Sequence, residues 1–286
     1  MSNQIFSTSN PIIRSIQRTK TNQIMKNDKT RQVITLLSIL GMIAMTIIAQ
    51  VSDLGGKPID ESSDESFTLI TPAGYAFSIW GLIYLGLLGY GIYQALPSQR
   101  ENPRFRDASG WVIINAIANI MWYPAAYWQS WNNIVANLLI LLMLFTLIKI
   151  NEALDMKRTA VSAGESWLAR MPFALYFGWI TVATAVSIAS LLVYNDWNGG
   201  GLAPDIWAVI ILAVSLAVAS IAYFQITNFS YLLVIAWGFV AIAIAQQSVS
   251  TIVYWSSLVG AVIALVVGVA DGLSHRKVGK AVGSLQ

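Results

Sequence analysis

The 286-residue chain contains no cysteine. That excludes a disulfide framework, a thiolate nucleophile, an iron–sulfur cluster and a Cys-ligated zinc. It has one histidine, His275, close to its C-terminal end, and only 11% charged residues. Set against 56% hydrophobic residues, that scarcity of charge excludes a soluble globular fold. A net charge of +3 is therefore read through membrane topology and not as a sign of an acidic partner or of nucleic-acid binding.

What is present instead is a series of long apolar runs. Eight stretches reach the length needed to cross a bilayer core: Val33 to Val51, Ala73 to Leu96, Trp111 to Trp128, Ile134 to Ile148, Met171 to Tyr194, Ile206 to Phe224, Phe229 to Gln246 and Thr251 to Ala270. They are apolar on every face, so they read as helices and not as the alternating segments of a transmembrane barrel. The expected fold is all-α, a polytopic transmembrane helix bundle of eight spans embedded in a lipid bilayer. A bacterial inner membrane is the expected location, with an organelle membrane as the alternative.

Basic residues set the orientation. With the N-terminus inside, 16 of the 17 Lys and Arg residues fall on the cytoplasmic side, in the N-terminal segment, the second and fourth loops and the C-terminal segment. The exception, Lys57, shares its loop with Asp53, Asp60, Glu61, Asp64 and Glu65. Both termini are therefore expected in the cytoplasm, as an even number of spans also requires. Residues 1–32 are basic, carry Asp28 as their only acid and lack the apolar core of a cleavable signal peptide. They read as a disordered cytoplasmic tail, with a transit peptide as the alternative, and residues 272–286 form a second basic tail.

All 17 basic and 14 acidic residues can be placed in loops, tails or span ends. Ion-coupled transporters, voltage sensors and Schiff-base pigments need ionisable groups at membrane depth, and none is available. No catalytic acid–base set and no metal site can be assembled. The spans hold tryptophan instead. Of the 11 tryptophans, seven lie at or near span ends, where indole prefers the headgroup layer. Trp80, Trp122, Trp179 and Trp237 sit deeper, roughly 10 to 16 Å from their span starts at a helical rise of about 1.5 Å per residue.

A buried indole N–H wants an acceptor, so the deep tryptophans imply polar partners or a cavity. Trp111, Asn115, Asn119, Trp122 and Ala126 recur at helical spacing along one face of the third span, which suits either interhelical hydrogen bonding or a ligand pocket. Gly260, Ala264 and Gly268 form a small-residue stripe that reads as close helix packing, with a homodimer face as the alternative.

Three motifs then appear in register. Pro72-Ala-Gly-Tyr-Ala-Phe-Ser-Ile-Trp80-Gly-Leu-Ile-Tyr84 resembles the second-span pattern P-P-G-W-x-F-G-P-V-W-T-x-L-Y of the tryptophan-rich sensory protein family, also called the translocator protein or TspO/MBR family. Asn119-Ile-Met-Trp122-Tyr-Pro124-Ala-Ala-Tyr127 is similar to the third-span N-x-x-W-x-P-x-F-F, and Leu175-Tyr176-Phe-Gly-Trp179-Ile-Thr-Val-Ala183 to the fifth-span P-Y-x-x-W-x-x-x-A. One residue fewer separates Phe77 from Trp80, Leu175 replaces the family proline, and Ser187 stands where asparagine is usual. The resemblance covers residues 33–195 and leaves three further spans, residues 196–271, outside it.

The resemblance implies a five-helix bundle whose pocket takes a tetrapyrrole, such as a porphyrin, or a similar planar hydrophobic small molecule. Its expected ligand-binding residues are Trp80, Tyr84, Asn115, Asn119, Trp122, Tyr176 and Trp179, with residues 52–71 as a lid. The sequence identifies no cofactor beyond a porphyrin or other tetrapyrrole as the implied ligand. Light-dependent porphyrin breakdown is implied by the family alone and has no acid, base or metal here to support it. A passive transporter of a small neutral solute, or a structural factor of a membrane complex, are the competing readings.

The topology is directly testable, because the absence of native cysteine lets single cysteines be introduced cleanly. A cysteine at Ser63 is expected to react with an impermeant reagent in intact cells and one at Ser162 is not; the reverse pattern would sink the N-inside arrangement.

Overall fold

The computed structural model describes residues 11–51, 68–129, 134–155, 160–226 and 228–283, with side chains placed over 27–49, 68–126, 134–155, 160–226 and 228–270. The described residues form eight long helices and no strand: α1 Pro11–Val51, α2 Ile79–Ala95, α3 Pro103–Gln129, α4 Ile134–Ala153, α5 Ala163–Tyr194, α6 Pro204–Ile226, α7 Phe229–Gln246 and α8 Thr251–Gly283. The protein is therefore an all-α, multi-pass integral membrane protein. Seven of these helices are both long and apolar enough to cross a membrane, and α3 is the exception. It has the length, but Asn115, Asn119, Pro124 and its tryptophans lower its mean hydropathy, the two asparagines being buried against the bundle.

Helix α5 occupies the centre. It packs against α2, α4 and α7, with α1 and α3 completing one side and α8 and α6 the other. In its most apolar window 67% of residues are buried, against 22% for α6, which is the peripheral member. The approach of α7 to α5 is close enough that a Cβ on Gly178 would lie 2.8 Å from the Tyr231 carbonyl oxygen, and one on Gly238 would lie 3.0 Å from the Val182 methyl groups. The stripe of small residues on α8 meets α7 of the same chain, Gly260 lying under the Phe239 ring and Gly268 under Phe229. Close packing, and not a dimer face, is what that stripe serves.

Charge collects at one end of the bundle. Asp28 on α1 accepts from Arg106 on α3 at 2.9 and 2.5 Å, and Arg31 donates to the Phe105 and Arg100 carbonyls and to Ser109 Oγ at 3.0 to 3.1 Å. These contacts change the reading of the N-terminal segment. The chain is helical from Pro11 and continuous with the first span, and Asp28 is 6% exposed, because its ion pair docks this part of α1 against α3. Residues 1–10, and residues 52–67 of the expected lid, lie outside the described residues.

Nearby, Glu165 takes a two-pronged bond from Arg104 at 2.5 and 2.8 Å. Arg170 donates to the Leu154 and Asp155 carbonyls at 3.0 and 2.7 Å, satisfying carbonyls left open at the end of α4. The turn of α5 that carries Arg170, Ser166–Arg170, is a π-helix immediately ahead of Pro172. Proline has no N–H to donate, so the regular hydrogen-bond ladder is interrupted where this turn widens.

The α5–α7 contact generates a stability test. Gly178→Leu must displace backbone and is expected to lower the melting midpoint of detergent-purified protein, at a cost of about 1–3 kcal/mol. Gly110, whose Cβ would meet nothing within 4 Å, is the control. Gly110→Ala should be neutral or stabilising by up to about 1 kcal/mol, and equal losses in both variants would contradict the packing account.

Candidate functional site

Five elements converge below the 68–78 segment. Pro72 leads into a short 3₁₀ turn, Gly74–Ser78, which projects Phe77 inward; α2 supplies Trp80 and Tyr84, α3 Asn119, Trp122 and Tyr123, α4 Met143, and α5 Tyr176 and Trp179. Trp80 is the hub. Its ring stacks on Tyr84 at 5.1 Å and 18°, and meets Tyr176 at 5.6 Å and Trp179 at 6.4 Å edge to face. Phe77 closes on Trp179 at 5.7 Å, and Trp122 lies against Tyr123 at 5.3 Å.

Two polar chains run behind these rings. Thr46 on α1 donates to the Tyr84 hydroxyl at 2.8 Å, which pairs with the Tyr123 hydroxyl at 3.2 Å, joining α1, α2 and α3. The Asn119 amide donates to the Tyr176 hydroxyl at 3.1 Å and approaches the Met143 sulfur at 3.7 Å, and Tyr176 donates to that sulfur at 3.4 Å. The Asn119 Oδ1 atom is buried in the cavity wall with no hydrogen-bond partner among the described residues.

Of the seven residues expected from sequence, six belong to this cluster. Trp80, Asn119, Trp122 and Trp179 line the cavity, and Tyr84 and Tyr176 back Trp80. Asn115 is not brought to it. One turn away on α3, it donates to Thr146 Oγ1 at 2.8 Å and to the Met143 carbonyl at 3.2 Å, tying α3 to α4. Phe77, Tyr123 and Met143 were not anticipated. The first two stand inside the quoted motifs, whereas nothing local marks Met143, an apolar residue in an apolar run.

Trp237, the fourth deep tryptophan, is accounted for separately. Its indole donates to the Ala76 carbonyl at 3.2 Å and its ring meets Tyr75 at 5.2 Å, while the Ala73 N–H donates to the Ala241 carbonyl at 3.1 Å. Helix α7 thus holds the 3₁₀ turn that carries Phe77.

The cavity itself is tight, with a volume of about 40 Å³. That admits a few water molecules and no tetrapyrrole, so the described arrangement is a closed one in which the rings fill the space themselves. Its walls are almost wholly apolar, and it contains no group of three or more His, Cys, Asp or Glu among the described residues that could hold a metal ion.

Fold and cavity together define a class: a polytopic helical membrane protein with an aromatic, uncharged intramembrane cavity. A family model described as TSPO-like protein matches residues 32–270, and the chain belongs to that family. The match extends through α6 and α7 and into α8, beyond the five spans carrying the motifs. Comparison with curated proteins and with solved structures gives no match.

Because Trp237 bonds the roof of the cavity and not its interior, Trp237→Phe should lower the thermal midpoint by the equivalent of about 1 kcal/mol for one lost hydrogen bond. Unchanged stability in that variant would contradict the anchoring role.

Proposed function

We propose that the protein is a membrane receptor or sensor whose aromatic cavity binds a planar hydrophobic ligand, a porphyrin or related tetrapyrrole being the class suggested by its family. The observation that carries the proposal is the convergence of Phe77, Trp80, Trp122 and Trp179 on one cavity whose wall also holds Asn119 Oδ1, a buried acceptor without a hydrogen-bond partner among the described residues. Ring edges and faces at 5 to 6.4 Å already make the contacts that a flat ligand would make in their place. A buried acceptor without a donor costs about 1–3 kcal/mol, a cost that a ligand N–H, such as that of a pyrrole, removes.

Binding requires the rings to part, because the closed cavity is smaller than the ligand. Phe77 is placed to move by a swing of its half-buried side chain, while α7 keeps the backbone of its 3₁₀ turn in place. The competing reading of a passive permeation path needs a through-going channel, whereas the aromatic cluster closes this cavity. Its uncharged walls also favour a neutral or weakly charged portion of the ligand at depth. In this proposal the N-inside topology puts the cavity roof on the non-cytoplasmic face.

Trp80→Leu, Trp122→Leu and Trp179→Leu are each expected to weaken protoporphyrin binding about five- to tenfold, the loss of one stacking contact worth on the order of 1 kcal/mol. Trp255→Leu, at a position 58% exposed, should bind like the parent. Equal affinities across all four, measured by fluorescence quenching on folded protein, would reject the site.

A further inference from the structure

A second feature, on the opposite face of α5 from the aromatic cavity, has no counterpart in the reading above. Helices α5 and α6 touch, yet leave a gap between Thr184, Ile188 and Leu192 on one side and Ile211, Val214 and Val218 on the other. Facing residues keep much of their surface open, Ile188 being 43%, Val214 56% and Val218 50% exposed. Two cavities, of about 410 and 350 Å³, share Ala189, Leu192, Trp197, Trp207 and Ile211 and so adjoin along one cleft, the first being walled also by Thr68, Leu69 and Ile70.

The cleft is graded along its length. Its outer end is built by the 195–203 loop, where Trp197 and Trp207 pack at 4.6 Å and the Trp207 indole donates to the Gly199 carbonyl. Gly199 has φ +70°, and a Cβ there would strike the Trp207 ring, so the mouth is a fixed structure that requires glycine. Asn198 uses its side-chain oxygen to accept from Gly200 N–H at 3.1 Å, leaving its amide NH₂ as a donor at the mouth. At the inner end the hydroxyls of Thr181 and Thr184 bond back to the Phe177 and Ile180 carbonyls, and that of Thr181 also pairs with the Tyr231 hydroxyl at 3.2 Å, so both are already satisfied.

From Val193 down to Thr181 the cleft runs along 13 residues of α5, about 18 Å over the 12 steps between them at a helical rise of about 1.5 Å per residue. One leaflet's hydrocarbon is about 15 Å deep. An apolar gap of this size opening onto lipid cannot stay empty without forfeiting the contacts of both walls, and it offers water too few partners. We propose that the α5–α6 cleft is a binding site for one acyl chain of a phospholipid from the leaflet at the 195–203 end, with the lipid's polar portion at Asn198. Length, one-leaflet depth and the polar-to-apolar gradient all match a lipid and not a compact planar molecule.

The full chain, delipidated in detergent, can be titrated with palmitoyl-oleoyl-phosphatidylglycerol and the bound lipids counted by native mass spectrometry. One lipid is expected to bind at least about tenfold more tightly than those that follow, and filling the cleft from either wall, by Ala185→Phe or Ser215→Phe, should abolish that distinction. Trp80→Leu, in the other cavity, should leave it intact. Melting midpoints identify any variant that fails to fold, and the two filling variants on separate helices keep the test open if one does. Parent-like lipid binding in a folded filling variant overturns the proposal, as does absence of a distinct first lipid in the parent. So does displacement of phospholipid by equimolar palmitate, or a parent dimer that the filling variants abolish, which would assign the cleft to a free fatty acid or to a second copy.

Discussion

A bilayer removes the force that holds soluble proteins together, since lipid tails are as apolar as the side chains they would be exchanged for. The bundle therefore depends on close backbone approach and on a small number of buried hydrogen bonds. Gly178 lets α7 come within contact of α5, and the α8 stripe lets it come down on α7. The non-helical stretch before α2 poses the sharper problem, because irregular backbone at membrane depth is tolerated only where protein satisfies it. Here α7 does so through the Ala73 to Ala241 and Trp237 to Ala76 bonds. Phe77 then points into the cavity because the turn beneath it is anchored from outside the first five spans.

This dependence gives the later spans a role. The motifs lie on the first five helices, yet the roof over the aromatic cluster is bonded to α7, which α8 backs, and the family match likewise runs to residue 270. Helix α6 is different in kind. It touches the rest mainly through α8 and the tryptophan pair at its start, and stands apart from α5 over much of its length.

Much of the architecture was legible because length and apolarity are properties a single segment carries. All eight helices, seven of them long and apolar enough to span, and the placing of charge at their ends could be read that way. The deep tryptophans were legible too, since depth follows from counting residues. What a segment cannot show is its neighbour. Asn115 and Asn119 share a helix face and look equivalent, but the crossing of α4 gives Asn115 to Thr146 and that of α5 gives Asn119 to Tyr176. Trp237 needed an acceptor that a motif more than 150 residues earlier supplies as a backbone carbonyl. Asp28 looked like one acid in a basic tail until Arg106 fixed it against α3. Trp197, an ordinary span-end tryptophan by position, turns out to form the mouth of a cleft with Trp207.

Under the proposed function, ligand binding would exchange ring–ring contacts for ring–ligand contacts, so affinity would depend on how little is lost when Trp80 and its neighbours separate. The central claim is that three particular indoles share one ligand, and fluorine NMR of protein labelled with 5-fluorotryptophan addresses it residue by residue. On addition of protoporphyrin the resonances assigned to Trp80, Trp122 and Trp179 should move together with a single binding curve, while those of Trp167 and Trp255 stay in place. Movement of the exposed tryptophans alone, or no movement at saturating ligand, would contradict the account.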